Sequence, residues 1–336
     1  MRFSIGYQLP GPDDAFPDIV SDYREHISEV YFAVPGDPSG RAPLSESSWD
    51  SMISDLSSIS DMGVSLVLLF NSACYGPKAI SAELESHVHA VLKRLQKRIP
   101  IDTVTTTSVF IARTVKDSYP DIKVRASVNM RIGSIRGMEQ TEDYFDGYYM
   151  KRDWNRDPDT IKEFSAWRRE QGKSLHMLAN SGCLYDCAFQ SFHDNLVAHE
   201  GEMKPEDSMH HRYPAPCWEY LDSEDAWVNL LQNTWVRPEE IFRYEEWFDT
   251  VKLATRMHSH PRMVIGAYAQ GKFRGNILDL LEPNHSPLIR PRIIDNERFP
   301  EDWFEKSSSC SRNCRTCGYC REVLEQVMVN ISETVK

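Results

Sequence analysis

Nowhere does the sequence stay apolar for the roughly 20 residues that a membrane-spanning helix needs; the run at 64–70 has the length of a buried strand. The opening residues, Met1-Arg2-Phe3-Ser4-Ile5-Gly6, reach Pro10, Asp13 and Asp14 without a secretory apolar core. The expected compartment is therefore the cytoplasm, where thiols stay reduced and cysteines serve metals more often than disulfides. Positive charge is in deficit: 38 Lys and Arg face 50 Asp and Glu, a formal charge of −12. Such a surface repels phosphate backbones, so nucleic acid is a disfavoured partner. A local basic pocket built from Arg131, Arg136, Lys151, Arg152, Arg290 or Arg292 stays open to it. Gly-x-Ser-x-Gly, His-Glu-x-x-His and Gly-x4-Gly-Lys-Ser/Thr are all missing, which removes the usual marks of hydrolase elbows, zincins and P-loops. Neither internal repeats nor low-complexity tracts occur.

What the chain does carry is an alternation of short β-branched or apolar runs with helix-length amphipathic stretches. Strands are expected at 3–8, 29–33, 64–70, 103–106, 123–128, 147–150, 174–179 and 250–254. Helices are expected near 16–26, 48–62, 81–98, 108–118, 141–145, 159–171 and 238–249. Eight βα repeats close naturally into a barrel, so the fold class is α/β, a TIM-type (β/α)8 barrel over 1–270. An insertion at about 198–235, containing His210, His211, Cys217 and Trp218, interrupts it before the last strand. A Cys-rich extension follows at 271–336. With 41% hydrophobic residues a large core needs no disulfide staples. Active sites of such barrels lie on the loops after the strands. Cys74, Cys183 and Cys187 all fall there and are expected to converge on one face.

Seven of the eight cysteines lie in two groups. The first contains Cys183 and Cys187, on one helical turn or a loop entering one, with Cys217 downstream. Gly182 suits a backbone turn there, and a helix N-terminus would favour thiolate charge. With Cys74 these make four thiolates from three loops, a set that could hold a [4Fe-4S] cluster, bind zinc or pack as buried cysteines. The second group is the run Cys310-x3-Cys314-x2-Cys317-x2-Cys320, too dense and polar for core packing, hence a metal site for iron–sulfur or zinc. Its first three cysteines share the spacing of radical-SAM enzymes, but those carry the motif after an early barrel strand, which argues against that chemistry. Asp143/Asp146 and Glu239/Glu240 read as solvated helix faces, and Tyr148, Tyr149, Trp154 and Trp235 as packing.

Asn180-Ser181-Gly182-Cys183-Leu184-Tyr185-Asp186-Cys187, followed by His193, resembles the collagenase-like peptidase family thirty-two. Val236-Arg237-Pro238-Glu239-Glu240 leading to Thr250-Val251-Lys252-Leu253-Ala254-Thr255-Arg256 resembles a second segment of that family. The resemblance covers most of 1–256 and leaves the tail outside. It implies iron–sulfur proteins of O2-independent hydroxylation, acting on ubiquinone precursors as a heterodimer, or on tRNA or ribosomal RNA. Some members take their oxygen atom from prephenate. Carried over, it implies one [4Fe-4S] cluster on Cys183, Cys187 and Cys217 with Cys74 as the fourth ligand. The tail run adds a second cluster and an electron relay, with zinc as the alternative. Lys252, Arg256 and His193 are the candidate catalytic or anion-anchoring residues; an ion pair and a solvated helix histidine are the plainer readings. The acidic charge and the lack of a large C-terminal domain favour a small molecule or peptide as substrate, and the resemblance admits a heterodimer with a related barrel protein. The leading expectation is an iron–sulfur oxidoreductase. A peptidase is the runner-up, although no nucleophile–base pair is legible, and a zinc-stapled partner subunit without catalysis is third.

Overall fold

The computed structural model describes residues 1–9, 15–37, 39, 48–202 and 215–331. His210 and His211 lie outside them. Eight parallel strands close into a barrel in sequence order: β1 (Phe3–Gly6), β2 (Ile27–Phe32), β3 (Ser65–Phe70), β4 (Thr103–Thr106), β5 (Lys123–Ala126), β6 (Gly147–Tyr149), β7 (Ser174–Leu178) and β8 (Val251–Leu253). Closure comes from β1 pairing with β8, Phe3 opposite Val251 and Ile5 opposite Leu253.

Side chains alternate faces along each strand, and this decides what the barrel contains. Val30, Phe32, Leu66, Leu68, Val104, Val124, Leu175 and Leu253 belong to the main core between the strands and the helices. Their neighbours Tyr31, Ala33, Val67 and Leu69 form a separate cluster inside the barrel. The same alternation turns Ser4, Glu29, Arg125, Tyr149, His176 and Lys252 inward. Arg125 donates two hydrogen bonds to the Glu29 carboxylate, at 2.9 and 2.8 Å, so this buried charge is paired. Burial alone would raise the Glu29 pKa, but the guanidinium brings it down to about 2. Burial, reinforced by Arg125, lowers that of His176 to about 3 and keeps the ring neutral.

Helices wrap the barrel: α1 (Phe16–Asp22), α2 (Trp49–Asp61), α3 (Ala82–Leu95), α4 (Val109–Ser118), α5 (Ile135–Glu139), α6 (Pro158–Glu170), α7 (Gln190–His199), α8 (Pro216–Leu221), α9 (Val228–Gln232) and α10 (Pro261–Gln270). Helix α3 shows why they form. Ser81 caps it by accepting from the Leu84 N–H at 3.1 Å, and Leu84, Val88, Val91, Leu92 and Leu95 repeat at helical spacing on its buried face. Two expected helices differ. The stretch 141–145 is turn, and the helix lies just before it at Ile135–Glu139, where Ser134 caps the Gly137 N–H. The stretch after Arg237 is a 3-10 helix, Pro238–Tyr244, rather than an α-helix to 249. Beyond α10, short helices α11 (Ser286–Ile289), α12 (Trp303–Ser308) and α13 (Tyr319–Val327) and a two-stranded sheet of β9 (Arg292–Ile294) and β10 (Met328–Asn330) complete the chain. Ile289, Ile294, Trp303 and Val327 join the main core, so the extension packs on the barrel instead of standing apart.

Candidate functional site

The segment after β7 carries the cysteine motif, and a strap from the C-terminal part holds it in place. Asn180 donates to the carbonyls of Ala254 and Leu280 at 3.0 and 2.9 Å. The Gly182 N–H donates to the Glu282 carbonyl at 3.0 Å, and the Gly182 carbonyl accepts from Asn233 at 3.0 Å. A Cβ on Gly182 would stand 2.1 Å from the Pro283 carbonyl oxygen. The glycine is thus required by close approach of a second backbone, where a permissive turn was expected. Cys183 and Cys187 both lie in loop, and α7 begins only at Gln190, so neither thiol sits at a helix N-terminus as expected. Within the loop Asp186 adopts a left-handed φ of 44°, held by its N–H on the Asp153 carboxylate at 2.7 Å.

This loop borders a compact cavity of about 110 Å³ at the barrel mouth. Cys183, Cys187 and Cys217 line it together with Arg152, His193, Lys252 and Arg256. Arg152 donates to the Cys183 sulfur at 3.3 Å, the one member of the expected basic pocket found on a thiol among the described residues. Lys252 is buried, with Nζ 3.8 Å above the Tyr31 ring and 5.3 Å from that of Tyr149, a cation–π setting at the floor of the cavity. Arg256 donates to Ser39 Oγ at 3.0 Å. Gly6 makes room for it, because a Cβ there would meet the Arg256 backbone at 2.8 Å. Burial, then the charge of Cys183 and Cys187, pushes the Cys217 thiol up to about 11, and burial raises Cys187 as well.

Cys74 is placed elsewhere. It lines cavities formed with α3, α4 and the end of α7, and its sulfur interacts with His199. Cys187 lies three residues before α7 and His199 closes it. Ten residues of helix span about 15 Å, so α7 holds Cys74 and Cys187 at opposite ends. The two loops share a barrel face, as expected, but not a site.

In the tail, Cys310 and Cys320 are partly buried and Cys314 and Cys317 exposed. Burial lifts the Cys320 thiol to about 11 against the pull of Arg156, and the other three sulfurs raise it further. Arg156 itself is buried between the Trp235 and Trp303 rings, 4.6 and 5.1 Å from their centroids, and donates to the Trp235 and Leu231 carbonyls. The tail reaches the mouth through Arg312, whose guanidinium lies 4.4 Å from the Tyr185 ring between Cys183 and Cys187. Three thiols at the mouth and four in the tail are soft donors suited to iron–sulfur or zinc. Among the described residues, however, no three His, Cys, Asp or Glu side chains are converged into ligating positions. The donor chemistry of each set therefore fits a metal centre, while closing either set requires thiols to lose protons and draw together.

No family model matches the chain. It is 23% identical over 346 residues to a protein named Uncharacterized protease MJ1657 of Methanocaldococcus jannaschii, covering 97% of this chain and 98% of that protein. Its fold is similar to the solved structure of the U32 peptidase Mk0906, with a TM-score of 0.54 at 16% identity, over 75% of this chain and 91% of that one. The first likeness runs over nearly the whole of both chains, and the second shows the barrel fold. No helix among the described residues is long and apolar enough to cross a membrane.

Proposed function

We propose that this barrel is an iron–sulfur oxidoreductase, of the kind that hydroxylates without O2, working at the mouth cavity. One observation carries the reading: Cys183 and Cys187 from the loop after β7 and Cys217 from the first turn of α8 line a single cavity with Arg152, Lys252 and Arg256. A [4Fe-4S] cluster held by those thiolates would supply one-electron chemistry. The residues around it have defined tasks. Arg152 orients the Cys183 sulfur toward the cavity through its 3.3 Å hydrogen bond. Lys252 and Arg256 bring two positive charges to the same space and would bind and orient an anionic small molecule. His193 lines the cavity as the side chain placed to carry a proton. The cavity is small, about 110 Å³, and so favours a small group over a peptide chain. The tail thiols Cys310, Cys314, Cys317 and Cys320 would hold a second centre, and the Arg312–Tyr185 contact sets it beside the first for electron transfer. A related barrel protein is the partner this reading proposes.

The test is metal content. Protein purified without oxygen should contain about eight iron and eight sulfide per chain for two clusters, or about four for one. About one zinc with no iron would replace the redox reading by a zinc-stapled barrel.

A further inference from the structure

The thiol left outside the mouth has a different set of neighbours. Cys74 ends the loop after β3, where Ser72 Oγ donates to its carbonyl at 2.9 Å. The Gly76 N–H points back at the sulfur, 3.3 Å away, in a turn that gives Gly76 a left-handed φ of 53°. The His199 side chain shares a hydrogen bond with the same thiol, and its Cε1 lies 3.5 Å from where a Cβ on Gly76 would stand. On the far side of the ring, His199 Nδ1 pairs with Glu202 Oε2 at 3.2 Å. With Nδ1 engaged by a carboxylate, Nε2 is the nitrogen available to the thiol. Nucleophile, base and orienting acid therefore follow in order, the arrangement from which thiol catalysis is built.

Two cavities meet at Cys74 and Tyr75. One, about 700 Å³, is walled by Ile80, Val109, Phe110 and Tyr144; the other, about 680 Å³, lies against Leu84 and Val197. Each is several times the volume of the barrel-mouth cavity. A linear chain laid from one into the other passes the sulfur. Ile80 and Val109 at the rim are 84% and 44% exposed, apolar surface suited to an apolar side chain.

We propose that Cys74, His199 and Glu202 form a nucleophilic thiol site, separate from the barrel-mouth cysteines, that acts on the carbonyl carbon of an extended peptide or peptidyl thioester with an apolar side chain. His199 takes the thiol proton as the Cys74 sulfur bonds to the carbonyl carbon. The bond from that carbon to the leaving nitrogen or sulfur breaks, and His199 returns the proton to the leaving group. Water then adds to the enzyme thioester, giving a proton to His199. The carbon–sulfur bond breaks, releasing an acid and restoring the thiol, with no change of oxidation state. Glu202 is a positioning residue that fixes the ring. The Gly76 N–H, first, and then His199 lower the Cys74 pKa, and contact with Cys74, ahead of Glu202, raises that of His199.

The test labels the full-length protein, purified without oxygen, with limiting iodoacetamide between pH 5 and 9, and maps the modified cysteines by mass spectrometry. The charged groups facing the pair, besides Glu202, are Lys78, Glu83, Asp37 and His87 on one side and Arg113 on the other. Lys78 pairs with Glu83 and His87 with Asp37, so His199 should dominate the profile. Cys74 should label ahead of the exposed Cys317, with an inflection below that of a free thiol. His199→Gln should slow it about tenfold or more and abolish the low inflection, and Glu202→Gln should act in the same direction more weakly. A peptidyl thioester with an apolar side chain should be hydrolysed, about a hundredfold slower in His199→Gln and not at all in Cys74→Ser. Cys74→Ser should keep the wild-type iron and sulfide content, which separates this site from the proposed redox centre. Three results would each overturn the proposal: labelling of Cys74 indifferent to His199, labelling without thioester turnover, or loss of iron in Cys74→Ser.

Discussion

Cys217, in the first turn of α8, and Cys74, in the loop after β3, belong to the same barrel, yet their surroundings push the two thiols in opposite directions. Burial and the neighbouring sulfurs of Cys183 and Cys187 raise Cys217 to about 11, whereas the Gly76 N–H and His199 lower Cys74. A thiol among thiols stays protonated until a cation removes the repulsion between thiolates. A thiol against a hydrogen-bond donor and an imidazole loses its proton more readily. The two environments thus suit ligation in one place and nucleophilic attack in the other. The difference comes from packing, since a cysteine is the same residue in both.

The sharpest way to break this contrast is to remove one mouth thiol. Cys183→Ser or Cys217→Ser should abolish the mouth centre, roughly halving the iron of a two-cluster protein. Alkylation of Cys74 should continue unchanged; a fall in both would show that the regions are coupled. Gly182→Ala comes next. Its Cβ would collide with the Pro283 carbonyl, so the strap or the loop must move, at a cost of about 1–3 kcal/mol in chemical denaturation. Metal uptake at the mouth should fall while Cys74 is untouched. Gly76→Ala is the mirror test: a left-handed φ costs a non-glycine residue about 1–2 kcal/mol. That substitution should slow Cys74 labelling and spare the iron.

The smallest effect belongs to the polar barrel interior that supports both regions. The depressed pKa of a group in the folded state gives stability that is complete above its ordinary value and declines as pH falls. For His176 the decline runs from its usual 6.5 towards about 3, and for Glu29 from 4.5 towards about 2. Melting temperature should therefore drop progressively below about pH 6.5, His176 acting first. Replacing His176 by Gln should flatten the upper part of that curve; an unaltered curve would remove His176 from the account.

Much of the scaffold was legible because strand and helix periodicity are local. The β-branched run Thr103–Thr106 is a strand with the bounds its pattern suggests, and the capped pattern of α3 gives a helix. Where local signals compete, reading by residue fails: Thr141 to Phe145 resembles a helix, but the Ser134 cap starts one earlier. His199 and Glu202 show the same limit at a site. Their spacing on a helix end is visible in the sequence, but nothing near them in the chain points to Cys74.

By itself the sequence determined the barrel and the grouping of Cys183 with Cys187, because alternation and short spacing act between residues close along the chain. Only the tertiary structure decided that Cys217 joins them, that Pro283 presses on Gly182, and that Cys74 meets His199, 125 positions further along the chain. Those contacts depend on how loops from distant strands pack around α7, and that packing is settled by the shape of the whole barrel instead of by any one segment.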